Sequence, residues 1–242
     1  MKEKELIYQL FHKNKGRYGY RRIALEMKKQ GYMINHKTVL KLMNQCGLKC
    51  MVRKKKYRSY KGQTGKTAPN ILQRDFVTTA PNQKWVTDIS EFSLCGTRRY
   101  LSPIMDLYNR EIISYTISDS PKLVLVTDML NKAFKKLSDN TNLILHSDQG
   151  WHYQHQTYQH MLENKGIIQS MSRKGNCLDN AVMENFFGLL KSEFFYLQKF
   201  ESVEEFIREL DKYIDYYNNE RIKAGLNGLS PVQFKYQSHS IT

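Results

Sequence analysis

Lys84-Trp85-Val86-Thr87-Asp88-Ile89-Ser90-Glu91-Phe92 is the stretch on which the fold turns. Its apolar and β-branched residues predict a strand, the first of a sheet. Asp88 lies inside that strand, flanked by Val86 and Ile89, where an ionised carboxylate is a poor β-former and costly to bury, so something must compensate it. Working outward, Arg99 to Leu107 and Ile112 to Ile117 predict two further strands, with Gly96 and Asn109-Arg110 at the turns, and three successive strands predict an antiparallel meander. Pro121 then opens an apolar helix through Leu137, Asn142 to His146 is a short buried strand, and Gln156 to Asn164 is helical. Gly166 ends that helix, and Ile167-Ile168 is a fifth strand. A long helix follows from about Asp179 to Leu197 and another from Ser202 to Asn219, where Ser202-Val203-Glu204-Glu205 has the capping-box form. The order βββ-α-β-α-β-α-α describes an α/β domain with a mixed, five-stranded sheet.

Upstream of the sheet the chain is of a different kind. The net charge is +15, but residues 1 to 66 hold 19 Lys and Arg against three acids, an excess of 16, while the remaining 176 residues sum to −1. A basic excess confined to one segment is the footprint of nucleic-acid binding, because each cation that meets a phosphate releases a counterion. A solvated face or a membrane-surface segment is the alternative. Within the segment, Glu5 to Phe11 is apolar at helical spacing and Arg22 to Gln30 resumes a helix that Gly31 stops. Asn35 caps a third, His36 to Gln45, with Val39, Leu40, Leu42 and Met43 packed, Lys37 and Lys41 exposed, and Gly47 at its end. Helix, turn and capped helix in a basic context predict a helix-turn-helix reader with Lys37 and Lys41 on DNA. A small three-helix bundle packed against something else fits the pattern nearly as well, and charge tips the balance. Arg53-Lys54-Lys55-Lys56 and the Gly- and Pro-containing run to Asn70 read as a basic linker that can track a DNA backbone.

Four cysteines, Cys46, Cys50, Cys95 and Cys177, form no disulfide framework in a 242-residue chain without a secretory signal, and no run approaches the apolar length of a membrane span. A soluble, cytoplasmic protein of a reducing compartment is expected. His12, His36, Cys46 and Cys50 lack the short spacings of a zinc module, so Cys46 and Cys50 are read as buried structural residues.

Three acids stand where chemistry is done. Asp88 is on the first strand. Asp148 follows the strand of Leu143-Ile144-Leu145-His146-Ser147-Asp148-Gln149-Gly150 at once, at the carboxyl edge where open α/β sheets place ligands. Glu184 sits early in the long helix, whose apolar side is read as Val182, Phe186, Leu189 and Leu190, and Gly188 leaves room beside the carboxylate. Each alone has a plain explanation as a strand-end, turn-forming or helix-surface acid. Together, on a strand, a strand end and a helix, they can converge as hard oxygen ligands for Mg²⁺ or Mn²⁺. Two such ions activate an attacking oxygen and stabilise a leaving one at phosphorus.

Asp148 and Glu184 enclose thirty-five residues, and Lys191 is two helical turns beyond Glu184. This resembles the Asp, Asp-thirty-five-Glu signature of retroviral integrases and insertion-sequence transposases. Tyr18-Gly19-Tyr20-Arg21-Arg22-Ile23, Trp85 to Ser90, His146 to Gly150, Asp179-Asn180-Ala181 with Glu184-Asn185-Phe186-Phe187, and Tyr216-Tyr217-Asn218 with Arg221 look like the "insertion sequence three" family of transposases, over about Gly16 to Pro231. The resemblance implies a ribonuclease-H-like core with Asp88, Asp148 and Glu184 as catalytic, metal-binding triad and Lys191 on the element's terminal DNA. It implies double-stranded DNA as partner, namely terminal inverted repeats and target. It implies too a second-frame product that works as a homo-multimer in the bacterial cytoplasm, at the nucleoid, with or without an upstream-frame DNA-binding product. Where many relatives carry Pro-His after the arginine, this chain has Ile222-Lys223. The domains expected are residues 1–52, helix-turn-helix-like; 53–82, basic linker; 83–200, catalytic core; and 201–242, a C-terminal helix and tail packing on the core. A DNA-binding regulator with a silent core, and a nuclease that cuts without joining, are the competing functions.

Overall fold

The computed structural model describes residues 2–51, 67–137 and 142–239. The chain forms two compact units, one of Met1–Lys55, Leu189–Lys199 and Asp215–Thr242, the other of Lys56–Gly188 and Phe200–Ile214. Among the described residues no helix is long and apolar enough to cross a membrane.

In the first unit, α1 (Lys2–Lys13), α2 (Tyr20–Lys29) and α3 (His36–Gln45) enclose a core of Ile7, Phe11, Ile23, Met27, Val39 and Met43, with Ile222 added from the C-terminal stretch. Helix α3 has the predicted bounds and the predicted cap, Asn35 Oδ1 accepting the Lys37 N–H at 2.8 Å. One detail differs: Leu40 is exposed and Leu42 half-buried. Val39 and Met43, one turn apart, already fill the inner face, so Leu40 is carried round to the face of Lys37 and Lys41.

A buried ion cluster holds the rest of this unit. Glu193 at the end of α7 (Ala181–Glu193) is fully buried and takes two bonds from Arg221, Nε at 2.7 Å and Nη2 at 2.6 Å, and one from Arg22 Nη1 at 3.2 Å. Burial pushes the Glu193 carboxyl up, but the hydrogen bonds and charge of Arg221, reinforced by Arg22, outweigh it and hold the pKa below its ordinary value. The Tyr18 hydroxyl accepts the Ile222 N–H at 3.1 Å, and Arg17 lies over the Tyr216 ring. The Tyr18–Ile23 and Tyr216–Arg221 signatures are thereby accounted for as one packed cluster.

In the second unit the sheet comprises β1 (Lys84–Thr87), β2 (Ser90–Leu94), β3 (Thr97–Asp106), β4 (Ile112–Ser118), β5 (Ile144–Ser147) and β6 (Ile168–Met171). Strands β1, β2 and β4 each pair antiparallel with β3, and β1, β5 and β6 run parallel, giving the expected mixed sheet. Six segments replace the five strands expected, because Lys84 to Phe92 is broken at Asp88-Ile89. The break has a physical cause. Trp85 pairs with Asp106 and Ser90 with Leu101 in one unbroken register, so β1 and β2 lie end to end along β3 and Asp88 stands opposite Pro103. Proline has no N–H to give, and the ladder lapses there. The fifth strand runs on to Met171, past the expected Ile167-Ile168, because Gln169 and Ser170 pair with Leu145 and His146.

Helices α4 (Leu123–Phe134) and α6 (Gln156–Asn164) cover one face, where Val126, Met129, Leu130, Tyr158 and Leu162 pack on Trp85, Ile104 and Leu145. On the other face Phe206 of α8 (Val203–Asn219) meets Phe92 at 5.5 Å. Ser202 caps α8 through the Glu205 N–H at 3.1 Å, while Glu205 reaches back to the Glu201 N–H at 2.7 Å.

Candidate active site

The register of β1 on β5 sets the site. Val86 is level with His146 in this parallel pair, so Asp88 and Asp148, each two residues further on, emerge side by side just past the carboxyl ends of adjacent strands. Neighbouring strands are about 4.8 Å apart. Each carboxylate is steadied by the backbone that follows it: Asp88 Oδ1 accepts the Ile89 N–H and Asp148 Oδ1 the Gly150 N–H, both at 2.8 Å. A Cβ on Gly150 would lie 3.0 Å from Asp148 Oδ1 and 3.4 Å from the Tyr153 ring, so a side chain here would push on the carboxylate. Burial raises the Asp148 pKa, with the Gly150 N–H opposing it. Tyr153 of α5 (Trp151–Gln154) is buried, and burial, then the charges of Asp88 and Asp148, push its hydroxyl well above the ordinary value. A single phenol thus feels two carboxylates.

Under Asp148 lies a polar relay. Ser170 Oγ accepts the N–H groups of Ile71 and Leu72 at 3.0 and 3.2 Å, so its own hydrogen goes to His146 Nδ1, 2.8 Å away. That leaves His146 Nε2 protonated and donating to Ser172 Oγ at 3.1 Å, and Ser172 Oγ donates to the Ser147 carbonyl at 3.2 Å. Burial lowers the His146 pKa to about 4, so the ring is neutral near pH 7.

The third acid arrives on α7. Before that helix, Asp179 is fully buried and accepts from Arg173 Nε, Nη2 and N–H at 2.9, 2.8 and 3.0 Å, from Arg74 Nε at 2.8 Å and from Asn70 Nδ2 at 2.9 Å. The Arg173 side chain above all holds its carboxyl far below the usual range. The next residue, Asn180, donates Nδ2 to the Thr87 carbonyl at 3.2 Å and so pins the start of α7 to the end of β1. Glu184 is one turn further along. The helix begins at Ala181, after a 3₁₀ turn at Cys177–Asn180, and it buries Met183, Phe186, Phe187 and Leu190. Val182 and Leu189, read from the sequence as part of its apolar side, are only half-buried. Space beside Gly188 is open, as expected. Among the described residues no three His, Cys, Asp or Glu side chains stand close enough to hold a metal ion.

Residues 78–177 and 184–239 match the integrase core domain, and residues 1–56 an HTH-like domain. An Escherichia coli K12 protein assigned as transposase InsK for insertion sequence element IS150 is 52% identical over 98% of this chain and 83% of its own length. The transposase for insertion sequence element IS904 of Lactococcus lactis is 38% identical over 97% and 94%. The chain belongs to the insertion sequence three family of transposases.

As a DDE-type transposase it cleaves and joins the DNA of an insertion element. Its fold is that of retroviral integrases. It superposes on a chain of the simian T-cell lymphotropic virus intasome with a TM-score of 0.56 at 16% identity, covering 95% of this chain and 74% of that one. On the catalytic core domain of HTLV-2 integrase in complex with magnesium the TM-score is 0.51 at 14% identity, covering 64% and 97%.

The remaining sequence-predicted residues of the transposase are placed as follows. Lys191 is on α7, two turns past Glu184 and half-buried. Lys37 and Lys41 are exposed on α3 and line a groove with Leu40, Asn44 and Gln45. Arg53, Lys54, Lys55 and Lys56 lie outside the described residues. Cys50 is exposed and Cys46 half-buried, correcting the reading of these as buried; Cys50 Sγ donates to the Arg17 carbonyl at 3.3 Å. Sequence reasoning missed His146, Tyr153 and the anchoring role of Asp179-Asn180. The signal for the last was an acid and an amide immediately before a helix, a pairing that commonly satisfies backbone groups at helix starts.

Proposed function

We propose that Asp88, Asp148 and Glu184 are the catalytic carboxylates of the transposase and hold Mg²⁺ or Mn²⁺, two ions in the working complex. The observation that carries this is the β1–β5 register, which sets Asp88 level with Asp148, together with the Asn180–Thr87 bond that tethers the helix bearing Glu184. The donor set fits in kind: three carboxylates are hard oxygen ligands, burial raises the Asp148 pKa, and the charges of Asp88 and Asp148 add to burial in raising that of Tyr153. When bound, the ions polarise the phosphodiester and the attacking oxygen. The chain's own part is to hold Asp88 and Asp148 through the Ile89 and Gly150 N–H groups, to keep water from the far side of the site with buried Tyr153, and to stiffen the Ser147–Asp148 backbone through neutral His146. Water attacks first and frees a 3′ hydroxyl, which then attacks a second phosphodiester; each step makes one P–O bond and breaks one, with no covalent protein intermediate.

Double-stranded DNA, as terminal repeats and target, is the partner, with Lys191 on the element end and Lys37 and Lys41 on the duplex. Two ends must meet, so the working form is a homo-multimer on DNA, alone or with an upstream-frame product, in the bacterial cytoplasm. The test is strand transfer with Mg²⁺ by Asp88→Asn, Asp148→Asn and Glu184→Gln. Transfer should be lost in all three while the circular dichroism spectrum and DNA binding persist. Transfer at wild-type level in any one refutes that residue's role.

A further inference from the structure

The chain has two tryptophans with opposite surroundings. Trp85 is 1% exposed in the core, whereas Trp151 leaves 47% of its surface in solvent. A lone exposed aromatic is ordinary on a protein surface, so its placement must decide. Trp151 is the first residue of α5, three residues after Asp148, across the turn that the Gly150 N–H closes on the Asp148 carboxylate.

Its ring is also held. It stacks on His152, with ring centroids 4.0 Å apart and planes 29° apart. His152 is buried and fixed in turn by donating Nε2–H to the Pro121 carbonyl at 2.6 Å. The following residue is Tyr153, the buried phenol on which the charges of Asp88 and Asp148 act. One short helix therefore carries, in order, an open indole face, an anchored imidazole that stiffens it, and a phenol in the field of the carboxylates. A cation follows close by: Ser172 gives its N–H to the Ser147 carbonyl at 2.8 Å and takes Gln149 Nε2 on its own carbonyl at 3.0 Å, and exposed Lys174 comes two residues later, beyond Arg173, whose guanidinium is bound to Asp179. An anchored π face beside the carboxylates, with a lysine near it, is the combination that holds a nucleotide by base stacking and phosphate contact.

We propose that Trp151 is a stacking platform for an unpaired or strand-terminal DNA base that flanks the phosphodiester reacting at Asp88 and Asp148. The inference rests on the carboxylate site proposed above. Stacking is tolerant of base identity, so Trp151 positions the strand and leaves sequence to be read elsewhere.

The test uses the full-length wild-type protein in a chelator, so that no chemistry occurs, titrated with a short single-stranded oligothymidylate. Because Trp85 is buried, iodide-quenchable emission comes from Trp151. Binding should lower that emission and shield it from iodide, and Trp151→Phe should lose the signal while binding nearly as tightly. Trp151→Ala should bind the oligonucleotide about ten- to a hundredfold more weakly. Emission and iodide access unchanged at saturating oligonucleotide overturns the proposal whether or not the alanine variant folds, as does a folded Trp151→Ala that binds like wild type. A negative result here alongside an inactive Asp88→Asn rejects the stacking role alone, whereas an active Asp88→Asn rejects the carboxylate site on which it rests.

Discussion

Arg221→Met takes one cation from a carboxylate that has no solvent to turn to. Glu193 and Arg221 are 0% and 1% exposed, and the pair is joined by bonds of 2.7 and 2.6 Å. Hydrogen bonds to a charged group contribute about 1.5–3 kcal/mol each, and removing one partner of a buried pair costs about 3–5 kcal/mol. Arg22 stays at 3.2 Å with a quarter of its side chain in solvent, and it softens the loss. Methionine keeps much of the length and volume, so little of the effect comes from a cavity. The expected cost is therefore near the lower bound, about 3 kcal/mol, or roughly 1–2 M off the urea midpoint. Urea titration followed by far-UV circular dichroism measures it. A companion variant, Arg221→Met with Glu193→Leu, removes the stranded charge too and should regain part of the loss, since apolar replacement of a whole buried pair is often neutral or better.

Acid should act on the same cluster. The Glu193 pKa is depressed in the fold, so its contribution is full above the unfolded value near 4.5 and is lost as pH falls from there through the lower folded value. In Arg221→Met that acid-dependent part should shrink. A loss under about 1 kcal/mol for the single variant, or a double variant as unstable as two independent losses added, would show that the cluster is not the linchpin its burial implies.

Three further outcomes follow from particular contacts. Gly150→Ala keeps an allowed backbone, φ −58° and ψ 142°, but sets a methyl 3.0 Å from Asp148 Oδ1, which must give by a few tenths of an ångström; since a displacement of about 1 Å costs about a hundredfold, strand transfer should fall several-fold with the urea midpoint little changed, and unaltered transfer would mean that the Asp148 position is not critical. Asp179→Asn should release Arg74 and Arg173 and loosen the start of α7, lowering transfer more than DNA affinity; because the folded Asp179 pKa lies far below 3.8, wild-type stability from this group is complete above that pH and drains away as acid approaches the folded value, and an acid titration should show the variant lacking that component. Lys37→Gln with Lys41→Gln should reduce the slope of log affinity against log salt by about 1.8 if each lysine meets a phosphate, and an unchanged slope would assign the outer face of α3 to something other than DNA.

How far the sequence reveals this protein depends on which forces act locally. Asn35, Ser202 and the apolar, β-branched run around Trp85 concern neighbours a few residues apart, so caps, helices and strands were readable. Asp88 was conspicuous for the same reason, as a charge in a β-run. What could not be read is long-range. The break that frees Asp88 comes from Pro103, fifteen residues later and paired to it only once β3 is laid alongside. The ion cluster joins Arg22 to Glu193 across 171 residues, and Asp179 draws on Asn70 and Arg74 across more than a hundred. Periodicity also erred by a step on α7, where Met183 and Phe187 were passed over for Val182 and Leu189; the apolar arc that all of these share with Phe186 and Leu190 is wider than the side that packs, and the sequence does not say which part is covered. The site followed a different logic from the core. Its acids are adjacent because β1 and β5 are parallel neighbours with matched ends, and a parallel pairing across some sixty residues carries no local mark, so only their coincidence at strand ends and on the following helix disclosed them.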